Sequence, residues 1–112
     1  RMLTIYRTEM GKVFDDVDAL ITPATPAIAP KLGAVSVTTE GLTEPAGNAI
    51  TRFTSFFNMT GNPAITLPSG LHSTGLPMGV QLIGKQFGES KLLRLAAIMD
   101  ANPDFNVPAA SI

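Results

Sequence analysis

Nine prolines and ten glycines are spread through 112 residues, and their spacing limits every regular element to a short piece. Between Pro23 and Pro45 stand Pro26, Pro30, Gly33 and Gly41. Each proline fixes φ and lacks a backbone donor, so neither a helix nor a central strand runs through them. A surface loop is therefore expected over about 23–42, a length more often functional or disordered than neutral filler.

The punctuation leaves clear segments on either side of that loop. Leu3, Tyr6, Met10, Val13, Phe14 and Val17 recur at steps of three and four, the pattern of one helix face, and the helix should end near Asp16. Asp18 to Thr22 is a short apolar run closed by Pro23, as suits a buried strand. Thr43-Glu44-Pro45 reads as a helix start, with Thr43 as cap, Glu44 favoured by the macrodipole and Pro45 in the first turn. Ile50, Phe53, Phe56 and Phe57 then line its buried side, and Gly61 stops it. Ala64 to Leu67, ending at Pro68, and Met78 to Ile83, ending at Gly84, read as the two strands of a loose hairpin through the polar turn Ser69 to Gly75. Leu92, Leu93, Ala96 and Met99, with Leu95 beside them, mark a last helix over about Glu89 to Asp100. The tail over about 102–112 is expected to be irregular.

This order predicts an α/β class: a small mixed sheet of about three strands, one strand plus a hairpin, flanked by about three helices. Strands apolar on both faces need cover on both, which three short helices supply only in part. Composition sharpens the point. Charged residues are 15% and apolar residues 45%, whereas about a quarter charged is ordinary. Either the core is unusually apolar or part of the apolar surface meets something beyond these residues. The sequence opens at Arg1, inside the helical pattern, which favours the second expectation.

Other classes are excluded more directly. Net charge is −1 and no Lys/Arg cluster occurs, so the electrostatic footprint of nucleic-acid binding is missing. Zero cysteines removes a disulfide framework, a thiolate metal site and a cysteine nucleophile. No apolar run approaches the ~20 residues of a membrane span and no signal segment opens the chain. A cytoplasmic setting without membrane contact is the expectation. One His and an Asp15-Asp16-Asp18 cluster without the Gly and distant Glu of a calcium loop predict no metal site, and no cofactor is expected.

Three stretches carry a specific pattern: Asp18-Ala-Leu-Ile-Thr-Pro23-Ala-Thr25-Pro26; Asn58-Met-Thr-Gly61-Asn-Pro63-Ala-Ile-Thr-Leu-Pro68-Ser-Gly70; and Gly75-Leu-Pro77-Met-Gly79-Val-Gln81-Leu-Ile-Gly84-Lys-Gln-Phe87. Physically, Gly61 ends a helix, Pro63 forces Asn62 toward an extended conformation, and a strand follows at once. In the third stretch Met78, Val80 and Leu82 face one side of the sheet, and Gly79, Gln81 and Ile83 the other. Gly79 leaves room for close backbone approach, and the Gln81 amide must be satisfied, by a backbone partner or at a ligand. In this order and spacing the stretches resemble the C-terminal portion of the amidase-signature family, from about Val17 to Asp100.

The resemblance implies hydrolysis of, or transfer from, carboxamide C–N bonds by a serine nucleophile, a second serine in a cis peptide and a lysine base. It places all three upstream of the matched portion, with the Gly/Ser-rich stretch that would stabilise an oxyanion. No catalytic residue carries over. It also implies that the segment before the Asn-x-x-Gly-x-Pro motif helps line the pocket for the substrate's variable group. Thr25 and Ile28 in the loop and Asn48, Thr51, Thr54 and Ser55 on the helix are the candidates, each weighed against an ordinary helix or loop position. The remaining N-terminal portion of such an amidase is the expected partner, a small-molecule amide the expected substrate of the whole, and self-association the expected behaviour of the isolated chain.

A self-contained hydrolase with Ser69 or Ser73, His72 and Asp16 or Asp18 is rejected, because Ser73 and His72 are neighbours in a polar loop and no G-x-S-x-G elbow is present. The rival from another class is a stand-alone binding or structural module using this portion of the fold without chemistry. The length of the reading frame that encodes these residues separates the two.

Overall fold

Helical periodicity without proline carries α1 from Met2 to Asp16, and Val17 leaves it in an extended conformation. In the computed structural model, which describes residues 1–105, β1 (Leu20–Pro23) follows. Next come β2 (Ser36–Thr39), β3 (Leu42–Pro45), α2 (Ala46–Thr51), α3 (Ser55–Thr60), β4 (Ala64–Leu71), β5 (Pro77–Ile83) and α4 (Glu89–Asp100), then a single 3-10 turn at Pro103–Phe105. The irregular tail expected over 102–112 lies, from residue 106 on, outside the described residues.

The main sheet has the order β1-β5-β4. It contains the expected strand plus hairpin, but the pairing is antiparallel at both seams, Leu20 opposite Ile83 and Ala64 opposite Ile83, where a mixed sheet was expected. The outer strands run the same way yet never pair, since β5 lies between them. β4 also passes through Pro68 instead of ending there. As an edge strand it tolerates the missing donor, and a register shift between Pro68 and Leu71, with Gly70 at φ +110, bends it beyond the proline.

The pleat delivers one face of β5 to α4. Leu67, Leu82, Leu92 and Ala96 form the buried cluster, with Ile65, Val80, Leu95 and Met99 packed against it. Leu93, expected in the helix stripe, is 58% exposed. On α1 only Phe14 of the apolar stripe is buried, although Tyr6 meets Phe56 of α3 edge-on at 5.8 Å between ring centroids.

Two departures from the sequence reading shape the surroundings of the groove described below. The stretch expected as loop holds a second sheet, the hairpin β2–β3. Its turn is Glu40-Gly41, with φ of +49 and +83, the paired positive angles of a tight hairpin connection. Thr43 is therefore no helix cap: it sits in β3 and its hydroxyl shares a 2.7 Å hydrogen bond with Thr38 across the hairpin. The helix read as continuous from Thr43 to Gly61 is two short helices. Thr51 and Thr54 turn their hydroxyls onto Gly47 and Thr51 carbonyls at 2.9 and 3.2 Å, and Ser55 does the same to Thr51. Such back-bonding competes with the helical ladder. The carbonyl of Phe53, inside the break, instead accepts from Gln81.

Candidate functional site

The recognisable motif residues form a locked junction. Gly61 takes the left-handed conformation at φ +77 that ends α3, and the Asn62 N–H reaches back to Phe57 at 3.1 Å. Thr60, fully buried, donates to the Asn62 side chain at 2.7 Å, and the Asn62 amide donates to the Gly84 carbonyl at 2.9 Å. The Gly84 N–H returns to Pro63 at 2.9 Å. A side chain at Gly84 would meet Pro63 and Leu92 at 3.4 and 3.5 Å, ordinary van der Waals contact where α4 approaches. Gly79 is tighter: a Cβ there would lie 3.2 Å from Thr66 and 3.4 Å from the Leu67 carbonyl. Gly75, at φ +82, closes the β4–β5 turn by donating to His72 at 2.8 Å, leading into Pro77 at the start of β5.

Gln81 is 1% exposed and donates to the Phe53 carbonyl at 2.8 Å. Of the two partners open to it on sequence, the backbone one is present. One amide thus ties the central strand to the break between α2 and α3. Asn58, exposed on α3, contributes its backbone N–H to Thr54 at 3.2 Å.

Along the N-terminal half of β5 runs a groove of about 860 Å³, floored by Met78, Gly79 and Val80 and walled by the loop Pro23 to Pro30 and the tip of the β2–β3 hairpin. Thr25 and Ile28 line it. A second groove of about 480 Å³ continues past Thr25 toward Glu44, Arg52 and Phe53. Asn48, Thr51, Thr54 and Ser55 line neither groove. Asn48, Thr51 and Ser55 are exposed, Thr54 is half-buried, and three of the four spend their hydroxyls on the helix backbone. The hairpin residues Thr38, Thr39 and Glu40 line the groove without having been singled out. The alternation of Val37 and Thr39 with Ser36 and Thr38 before Glu40-Gly41 is the signal that locates them.

The rejected triad does not assemble. The ring Nδ1 of His72 is engaged by its own turn, accepting the Thr74 N–H at 3.2 Å and meeting the Thr74 hydroxyl at 2.9 Å. Asp18 is held by Lys91 at 2.6 Å. That hydrogen bond, and then the lysine charge, hold the Asp18 carboxyl below its ordinary value. Asp15 faces Lys85 at 3.6 Å. Among the described residues no group of three or more metal-ligating side chains gathers, and no helix is long and apolar enough to cross a membrane.

A helix-to-strand junction closed by the Asn62 side chain, on a small antiparallel sheet with α4 across one face, is an α/β arrangement that known proteins share. The amidase family model matches residues 1–93, and the chain belongs to the amidase-signature family. Among curated relatives it is 34% identical to the glutamyl-tRNA(Gln) amidotransferase A-subunit of Geotalea daltonii, over all of this chain and 22% of that protein. It is 41% identical to the corresponding protein of an Exiguobacterium species, over 94% of this chain and 21% of that protein. Among solved structures, a crystal structure of an amidase superposes with a TM-score of 0.82 at 31% identity, covering 88% of this chain and 23% of that one. The glutamyl-tRNA(Gln) amidotransferase A-subunit of Thermotoga maritima superposes at 0.73 and 30% identity, covering 95% and 24%. The chain therefore spans about a fifth of the length of the curated relatives it matches.

Proposed function

We propose that these residues are the C-terminal portion of an amidase that hydrolyses carboxamide C–N bonds, in which they act as scaffold and as one wall of the cavity for the substrate's variable group. The nucleophilic serine, the second serine and the lysine base belong, on this reading, to the remainder of the whole enzyme, and so does the oxyanion-stabilising stretch. The carrying observation is the match to about a fifth of each relative together with apolar side chains left open on α1 and β1, such as Ile5 and Ile21 at 55% and 57% exposure. Faces of that kind are ordinarily covered.

Thr25 and Ile28 are the nearer part of the proposed wall, in the groove beside β5. Asn48, Thr51, Thr54 and Ser55 are proposed as its continuation along α2 and α3. The occupant is a small-molecule amide, with no cofactor and no nucleic-acid contact by these residues. The whole enzyme is assigned to the cytoplasm as part of the same proposal.

A serine-directed phosphonate probe tests this on the intact protein, alongside ammonia release from a panel of carboxamides. Labelling should fall outside residues 1–112 and abolish turnover. Covalent label on Ser69 or Ser73, with loss of activity, would overturn the assignment.

A further inference from the structure

Thr39 and Glu40, at the tip of the β2–β3 hairpin, line both grooves. Among the described residues that line the first, Glu40 is the one carboxylate, and no lysine or arginine stands there. The rest of that lining is mainly apolar, with Pro26, Ile28, Ile50, Met78 and Val80. His72 also lines it, but its Nδ1 accepts the Thr74 N–H at 3.2 Å. A ring nitrogen that accepts an N–H carries no proton, so this ring brings no positive charge. In the second groove the one cation, Arg52, is matched by Glu44 at 2.5 Å. Together the two linings hold one uncompensated charge, and it is the negative charge of Glu40.

Glu40 stands there against local preference. Its φ is +49 in a two-residue turn, a place that asparagine, aspartate or glycine takes more readily than glutamate. None of the four ion pairs among the described residues uses it. A rarely populated backbone conformation, holding an unspent charge against an apolar groove, is the pattern of a ligand clamp.

We propose that Glu40 selects the substrate's variable group by charge: it receives a primary ammonium at the end of an apolar chain lying along β5. The favoured substrates are then amides of ω-amino acids, and a carboxylate at the same end is disfavoured. This rests on the amidase reading of the groove, and Glu40 is a specificity residue that touches no reacting atom. Its side chain is exposed, so water and salt screen the interaction and the preference is severalfold, weakening as ionic strength rises.

The test uses the intact protein and three primary amides that share a seven-methylene chain and end in an ammonium, a methyl or a carboxylate group: ω-aminooctanamide, nonanamide and the monoamide of nonanedioic acid. Binding is measured by calorimetry at low and high salt, and ammonia release is followed in parallel. Glu40→Gln should weaken the ammonium form by about twofold to fivefold, the scale of one screened ion pair. It should leave the methyl form unchanged and tighten the carboxylate form, and high salt should shrink both differences. Glu40→Gly should repeat the pattern while its hairpin amides exchange no faster than in wild type, which separates lost recognition from a lost hairpin. A substitution that moves all three amides alike, one that moves none, or no binding of any amide would each overturn the proposal. Binding that follows the expected pattern without ammonia release counts against the amidase assignment alone.

Discussion

Gln81 concentrates the residue-scale energetics, because a fully buried amide costs stability unless both strand and helix break offer it partners. Replacing it by Met keeps the volume and leaves the Phe53 carbonyl unpaired next to the core. A loss of about 1–3 kcal/mol is expected, seen as a lower urea midpoint with unchanged slope, and a midpoint within error of wild type would show that the 2.8 Å bond carries no weight. Asp18 gives a pH-dependent counterpart. Its carboxyl is depressed below 3.8 by Lys91, so its contribution to stability is present above 3.8 and disappears as pH falls through the lower folded value. Lys91→Leu should move the Asp18 titration, followed by carboxyl NMR, upward to the ordinary value. If the midpoint stays put, the pair is not what lowers it. At this scale much was legible: the alternation along β5 placed Gln81 on the face opposite Val80 and Leu82, and Gly61 and Gly79 stood where positive φ and close approach demand them. The identity of Gln81's partner was not legible, since a carbonyl freed by a helix break 28 residues away leaves no local trace.

At the scale of elements, α1, β1, the β4–β5 hairpin and α4 follow the periodicity closely, and the departures have local causes. The β2–β3 hairpin was hidden because its turn is Glu40-Gly41 instead of Asn-Gly, and because neighbouring prolines dominate the composition of the segment. Glu40 is a non-glycine residue at φ +49, a conformation that costs L residues roughly 1 kcal/mol. Glu40→Gly should therefore stabilise the hairpin, slowing exchange of its amides by about twofold to fivefold after glycine's own entropy cost is set against the relieved strain. Faster exchange would show that Glu40 makes a compensating contact. The split between α2 and α3 was hidden for a different reason. Ile50, Phe53, Phe56 and Phe57 do recur at helical spacing, but Thr51, Thr54 and Ser55 divert backbone carbonyls inside that span, and hydroxyl competition does not register in an apolar pattern.

At the scale of the whole molecule, the main buried cluster among the described residues lies between β4, β5 and α4, while α1 leaves Met2, Ile5 and Val13 exposed to solvent. An isolated chain with such a face should self-associate. Light scattering on the purified 112 residues is expected to report multimers whose mass falls when Ile5 and Val13 are both replaced by Glu, and a compact monomer at high concentration would contradict it. Thr25 and Ile28 fall on the groove, whereas its third side, the hairpin, was masked: the alternation from Ser36 to Thr39 is short and stands among prolines and glycines. The rejected triad divides the same way: Ser69 lies in β4 and Ser73 in the β4–β5 turn. His72 is engaged by Thr74, and Asp18 by Lys91. The most direct test of the account is amide hydrolysis by the isolated 112-residue chain. Ammonia release from acetamide, hexanamide and glutamine should not exceed the rate in buffer, and turnover that disappears on mutating one of the chain's own serines would show that the reactive groups reside in these residues after all.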